Sequence, residues 1–226
     1  EWDYTPHSDV SSYGLERVDL RYAKYNIKSN KIFDIEEAFS EVIGLDSVKN
    51  IIRDWKDMLE IQEERNNTGI NNTMTRHMMF KGNPGTGKTT MARIVADILY
   101  NMNILKTNKF IEVDRSDLVA GYVGQTATKT REVIESALDG VLFIDEAYSL
   151  SGGGEKDFGK EAIAELVKMM EDNRDRLVVI LAGYGDEMDD FLNSNSNAGL
   201  KSRISNIIEF PDYTVDELMQ IAQEMY

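Results

Sequence analysis

Residues 82 to 89 read Gly-Asn-Pro-Gly-Thr-Gly-Lys-Thr. This run fits G-x-x-x-x-G-K-[ST], the spacing of a phosphate-binding loop. Gly82, Gly85 and Gly87 let the backbone curl so that its N–H groups form an anion cradle. A helix beginning just after the cradle adds the positive end of its dipole. Lys88 supplies a point charge for the β- and γ-phosphates, and the Thr89 hydroxyl can ligate magnesium. The expected phosphate contacts are therefore Asn83, Pro84, Gly85, Thr86, Gly87, Lys88, Thr89 and Thr90. A glycine-rich turn between strand and helix is the plainer reading, and the full match in the right context outweighs it.

A second group lies about sixty residues downstream. Val141-Leu142-Phe143-Ile144-Asp145-Glu146 is an apolar run ending in two carboxylates. Asp145 at the tip of such a strand would hold the metal, directly or through water. Glu146 beside it could polarise the attacking water. Adjacent acids also occur in ordinary strand-end turns, so the pair gains its meaning from the loop upstream. Together they imply a triphosphate that is hydrolysed as well as bound.

These side chains need a scaffold that delivers them to one place. Strand signals lie at 77–81, 109–113, 141–145, 177–182 and 205–210, and helix signals at 88–102, 126–138, 157–172 and 186–193. The alternation predicts an α/β fold: a doubly wound, parallel, five-stranded sheet with helices on both faces. Ligands in such sheets sit at the carboxyl ends of strands. A short helix is expected near 34–40 and a tight turn at Val42-Ile43-Gly44-Leu45. A long helix capped by Asp46 should follow, with Val48, Ile51, Ile52, Trp55 and Leu59 on one face and an end near Asn66-Asn67-Thr68-Gly69. Thr126 reads as the N-cap of its helix. Thr214-Val215-Asp216-Glu217 reads as a capping box. Three regions are expected. Residues 1–33 form an extension or linker (Leu15 to Tyr25 could make a short helix), 34–211 the α/β core, and 212–226 the first helix of a further subdomain.

Bulk composition narrows the function. A net charge of −15 repels phosphate backbones, so general affinity for nucleic acid is disfavoured. The absence of cysteine removes thiol catalysis and zinc–thiolate sites, and it suits a reducing cytoplasm. The longest apolar runs, Val141 to Ile144 and Leu177 to Ala182, have strand length, so no membrane partner is expected. No signal peptide is visible, and a start at Glu1 suggests an excised piece.

Taken together, Gly82–Thr89, Asp145-Glu146, Gly121-Tyr122-Val123-Gly124-Gln125-Thr126 and Gly199-Leu200-Lys201-Ser202-Arg203 resemble the AAA+ ATPases. Phe143 to Tyr148, Phe158 to Ile163 and Val179 to Tyr184 are similar to the subgroup holding stage V sporulation protein K and the red-type rubisco activase. The likeness covers roughly residues 34 to 226. It implies ATP as the nucleotide and Mg2+ as the metal. It also implies an extra strand between the two nucleotide-binding strands, and a homo-oligomeric ring, usually a hexamer, that remodels a protein substrate. The alternative is a catalytically weak nucleotide-binding interaction module of a larger protein.

The resemblance assigns further roles. Ile43 and Gly44 match the turn that contacts adenine. Arg203 matches the arginine finger, which completes a neighbour's site and can be worth several powers of ten in rate. Tyr122 and Val123 match the loop that lines a central pore and grips substrate. The plainer reading there is a buried tyrosine before a helix. Ser151 to Gly154 matches either a second pore loop or a linker. Three departures stand out. Ala182-Gly183-Tyr184 occupies the strand tip where relatives often carry Asn or Thr. Lys201 stands where a second arginine is common, and Ala198 where proline is. A helical lid is expected to be largely missing after Tyr226, which would impair nucleotide binding and assembly.

Overall fold

The computed structural model describes residues 33–67, 75–152 and 158–224. Asp34 to Tyr226 groups as one compact unit. Its centre is a five-stranded sheet of β1 (Met78–Gly82), β2 (Phe110–Val113), β3 (Gly140–Ile144), β4 (Leu177–Gly183) and β5 (Asn206–Phe210). The order is β2-β3-β4-β1-β5 and every pairing is parallel. Strand β4 thus lies between the strand feeding the phosphate loop and the strand carrying the acids, as the resemblance implied.

Burial explains the order. Every residue of β3 and β4 is buried, which suits central strands covered by helices on both faces. The edge strand β5 alternates instead, with Ile208 and Phe210 buried and Ile207 and Glu209 exposed. Around the sheet run α1 (Ile35–Ser40), α2 (Asp46–Asn67), α3 (Lys88–Asn101), α4 (Arg115–Leu118), α5 (Thr126–Ser136), α6 (Gly159–Asp172), α7 (Gly185–Asn193), α8 (Ala198–Lys201) and α9 (Val215–Glu224). A short 3-10 helix, Ala147–Ser151, follows the acidic pair. None of the helices among the described residues is long and apolar enough to cross a membrane.

Several local expectations change. Asp46 is the first residue of α2, not its cap, and the Leu45 carbonyl accepts the Lys49 N–H at 2.9 Å. Ile51 is 43% exposed while Val48, Ile52, Trp55 and Leu59 are buried. At 100° per residue Ile51 falls outside their arc. Thr126 likewise starts α5 and is fully buried; its hydroxyl accepts the Ala120 N–H at 3.1 Å. Helix α5 ends at Ser136, earlier than expected. Helix α4 was not expected, because four residues are too few to show a period. The capping box at α9 is present: the Thr214 N–H donates to the Glu217 carboxylate, and the Glu217 N–H to the Thr214 hydroxyl. The expected features at residues 1–32, Thr68-Gly69 and Gly153-Gly154 lie outside the described residues.

A buried histidine and a half-buried aspartate flank the sheet. Burial pushes His77 down to about 4; the Met170 carbonyl opposes this, and the charges of Arg203 and Arg76 add to it. The neutral ring accepts the Val179 N–H at 3.0 Å. Burial pushes Asp97 of α3 up to about 6, against an Asn108 hydrogen bond and the Arg93 charge. Asp97 therefore favours the folded state below the ordinary carboxylate range, and that benefit is lost as pH rises through 6. Asp97→Asn should raise the unfolding free energy by about 2 kcal/mol at pH 8. The gain should shrink as pH falls through 6, as read from denaturant midpoints at pH 8 and pH 5.

Candidate active site

The phosphate loop leaves β1 at the carboxyl end of the sheet and enters α3 at Lys88. Gly87, at φ +85°, is the residue before the helix and brings no side-chain cap. The first N–H groups of α3 are therefore left for an anion. A side-chain carbon added at Gly85 would meet nothing within 4 Å, so space above the loop is open. Thr86 is buried, and its hydroxyl donates to the Asn83 carbonyl at 2.8 Å, closing the curl. Lys88 Nζ donates to the carbonyls of Gly82 and Asn83 at 2.8 and 2.7 Å. An ammonium has three protons, so one remains for a ligand.

Asp145 and Glu146 follow β3 at the same end of the sheet. Burial pulls Lys88 below the ordinary lysine range, and the Asp145 charge opposes that shift. The loop lysine and the acid thus share one electrostatic neighbourhood across β4. The Glu146 N–H donates to Asp145 Oδ1 at 3.0 Å. Glu146 is exposed and left-handed, at φ +46° and ψ +43°. That conformation costs a non-glycine residue about 1–2 kcal/mol and turns the chain sharply into the 3-10 helix. No three acids or histidines cluster as a ready-made metal cage among the described residues. Thr89 and Asp145 instead offer a hydroxyl and a carboxylate, hard oxygen donors that fit a magnesium sharing its shell with phosphates and water.

The turn before α2 reaches this site. Gly44 and Leu45 are consecutive left-handed residues, at φ +63° and +56°. Leu45 Cδ1 would lie 3.2 Å from a side-chain carbon on Gly87, so the Ile43-Gly44 turn packs beside the loop. The segment after β5 reaches it too. Asn83 Nδ2 donates to both carboxylate oxygens of Asp212, at 2.8 and 3.0 Å. The Tyr213 hydroxyl lies 3.0 Å from the same position on Gly87, and the Glu217 carboxylate covers Gly44. Asp212, Tyr213 and Glu217 were missed as site neighbours. Only the chain break at Pro211-Asp212-Tyr213 marked the place.

Arg203 lies elsewhere. It precedes β5, and the Met78–Asn206 pair starts the β1–β5 register that ends at Gly82–Phe210. About 13 Å of strand therefore separates the Arg203 edge from the loop edge. Its guanidinium is 3.1 Å from Glu171 Oε2 and donates to the Gly199 carbonyl at 3.0 Å, while Nε is buried without a partner among the described residues. Lys201 Nζ donates to Asn193.

Tyr122 and Val123 are 74% and 85% exposed, which removes the buried-tyrosine reading. Their loop has a firm base. Thr130 donates to the Leu118 carbonyl at 3.0 Å, Lys129 donates to the Ser116 and Val119 carbonyls, and Glu161 of α6 accepts the Ala127 N–H. The loop follows β2, three strands from β1, about 14 Å across the sheet. It stands outside this chain's own phosphate loop.

The model of the ATPase family associated with various cellular activities (AAA) matches residues 78–212, more than half of the chain. The chain belongs to the AAA ATPase family. Within that family it is 48% identical over 203 residues to stage V sporulation protein K of Bacillus subtilis (strain 168), covering 89% of this chain and 62% of that protein. It is 48% identical over 210 residues to protein CbbX of Cereibacter sphaeroides, covering 92% and 67%. A chloroplastic ribulose bisphosphate carboxylase/oxygenase activase of Cyanidioschyzon merolae (strain NIES-3377 / 10D) is 47% identical over 193 residues, covering 84% and 65%. The AAA chain spans about two thirds of the length of these relatives.

Proposed function

We propose that this chain is an ATP-driven remodeller of a protein substrate, working as a homo-oligomeric ring, usually a hexamer, in the cytoplasm, with neither nucleic acid nor membrane as partner. In this reading the loop from Asn83 to Thr90 holds the phosphates and Ile43-Gly44 holds the adenine. Thr89 and Asp145 hold magnesium, which screens the phosphate charge. Lys88 adds its remaining proton to the phosphate oxygens, and Glu146 takes a proton from the attacking water. Arg203 serves a neighbouring copy, and Tyr122 with Val123 grips the substrate.

The observation that carries this reading is the placement of the loop and the acid pair at one sheet end, with Arg203 at the other. A site that uses Arg203 must borrow it from a second copy. The relatives' names support work on protein assemblies, since one of them is called an activase of a carboxylase. The expected result is ATP turnover that rises with protein concentration, together with a multimeric mass in ATP and magnesium by sedimentation. Tyr122→Ala should keep turnover within about threefold, because the side chain is exposed and distant from the loop. It should also abolish recovery of bound protein by a Glu146→Gln trap. Equal loss of both activities would assign Tyr122 a structural role instead.

A second reading is a catalytically weak interaction module. The Arg203–Glu171 pair favours it, because that contact holds the guanidinium within its own chain. A strict monomer without turnover in ATP and magnesium would select this reading.

A further inference from the structure

The tip of β4 lies between the phosphate loop and the acid pair, yet Ala182 and Gly183 offer it no polar side chain. The space there is filled from the 3-10 helix after β3 and from α7. A side-chain carbon at Gly183 would lie 2.8 and 2.9 Å from two ring carbons of Tyr148, and 2.8 Å from Met188 Sδ. Gly183 is thus the gap through which the Tyr148 ring reaches the β4 tip. Tyr184 flanks it, with ring centroids 5.8 Å apart at 48°.

The Tyr148 hydroxyl makes no hydrogen bond with any described residue. Its ring is partly buried, and it belongs to the 3-10 helix that begins directly after Glu146. The Ser149 N–H donates to the Glu146 carbonyl at 2.8 Å, so Tyr148 is tied into the same tight turn as the acid. We propose that the Tyr148 hydroxyl orients the water that attacks the γ-phosphate, supplying from the 3-10 helix after β3 a polar group that Ala182 and Gly183 lack. This rests on the reading that Glu146 activates that water.

The water gives one proton to Glu146 and directs its other O–H to the Tyr148 oxygen. Its lone pair forms the bond to the γ-phosphorus, and the bond to the β-phosphate oxygen breaks with its electron pair leaving on the diphosphate. The Tyr148 proton is free to meet a γ-phosphate oxygen, so the phenol holds water and phosphate in line. The surroundings suit a phenol that stays protonated. Burial raises its pKa, and the charges of Glu146, Tyr184, Glu187 and Asp145 raise it further. A donor that never ionises near neutral pH keeps its role across the working range.

Tyr148→Phe keeps the ring against Gly183 and removes only the hydroxyl. In the full-length protein with ATP and magnesium, the expected result is a kcat at least tenfold lower. The Kd for ATP should stay within twofold of the unaltered protein, and the thermal midpoint should not move. Glu146→Gln and the unaltered protein run alongside. A Tyr148→Phe kcat within twofold of the unaltered value overturns the proposal. So does a fall in kcat matched by a fall in thermal midpoint, which would make the tyrosine structural. Full turnover in Glu146→Gln, or none in the unaltered protein, would overturn the reading beneath it as well.

Discussion

Glu146→Gln should bind ATP with unchanged affinity and hydrolyse it at least a hundredfold more slowly. The substitution exchanges a carboxylate for an amide of the same shape, so packing is untouched. An amide cannot take a proton from water, and positioned acid–base groups contribute about 10²–10⁴ in rate. Glu146 is exposed and makes no side-chain ion pair with any described residue, so the fold does not lean on its charge. Its left-handed backbone is retained by glutamine at similar cost. In the proposed reading, binding rests on Lys88 and the N–H groups of the loop, which the change does not reach. Phosphate release at saturating ATP, paired with nucleotide titration, reads the two quantities separately. Unaltered phosphate release would remove Glu146 from the water-activating role.

Gly82→Ala should cost about 3–5 kcal/mol of stability and abolish nucleotide binding. Gly82 sits at φ +156°, and an added carbon would lie 2.5 Å from the Phe210 carbonyl oxygen and 2.9 Å from Phe210 Cβ. Neither neighbour is a flexible chain end, because Gly82 pairs with Phe210 in the β1–β5 ladder. Relief requires β5 to move, and β5 leads directly to Asp212, which holds Asn83. Strain in the sheet is thereby passed to the loop. Denaturant unfolding measures the first effect and ATP titration at low denaturant the second. A midpoint equal to that of the parent would show that the strand pair yields at no cost.

The sheet was legible because its strands are apolar runs bounded by turns, and all five appear within a residue of the expected places. The meeting of the loop and the acid pair at one sheet end was legible because the proposed chemistry needs fixed residue types at fixed spacing. Asp212, Tyr213 and Glu217 were not. They reach the loop only because β5 lies beside β1, a pairing set by topology across about 130 residues of chain. Tyr148 was noticed as part of a motif, but its neighbour Gly183 comes from β4, 35 residues later. Thr126 shows a second limit. A threonine at a helix start looks the same in sequence whether its hydroxyl caps that helix or, as here, holds the loop before it.

Strand β4 acts as a spacer. With one strand interposed, the phosphate loop and the acid pair stand two strand spacings apart, about 10 Å. That mouth is too wide for the two groups to bond to each other and of the right width for a hydrated cation and a phosphoryl group to bridge. The small residues at the spacer's tip leave room for the Tyr148 ring, so the width of the mouth is set by the backbone spacing of the strands. Any β4 substitution that keeps Val178 to Leu181 apolar and of similar volume should leave this gauge unchanged.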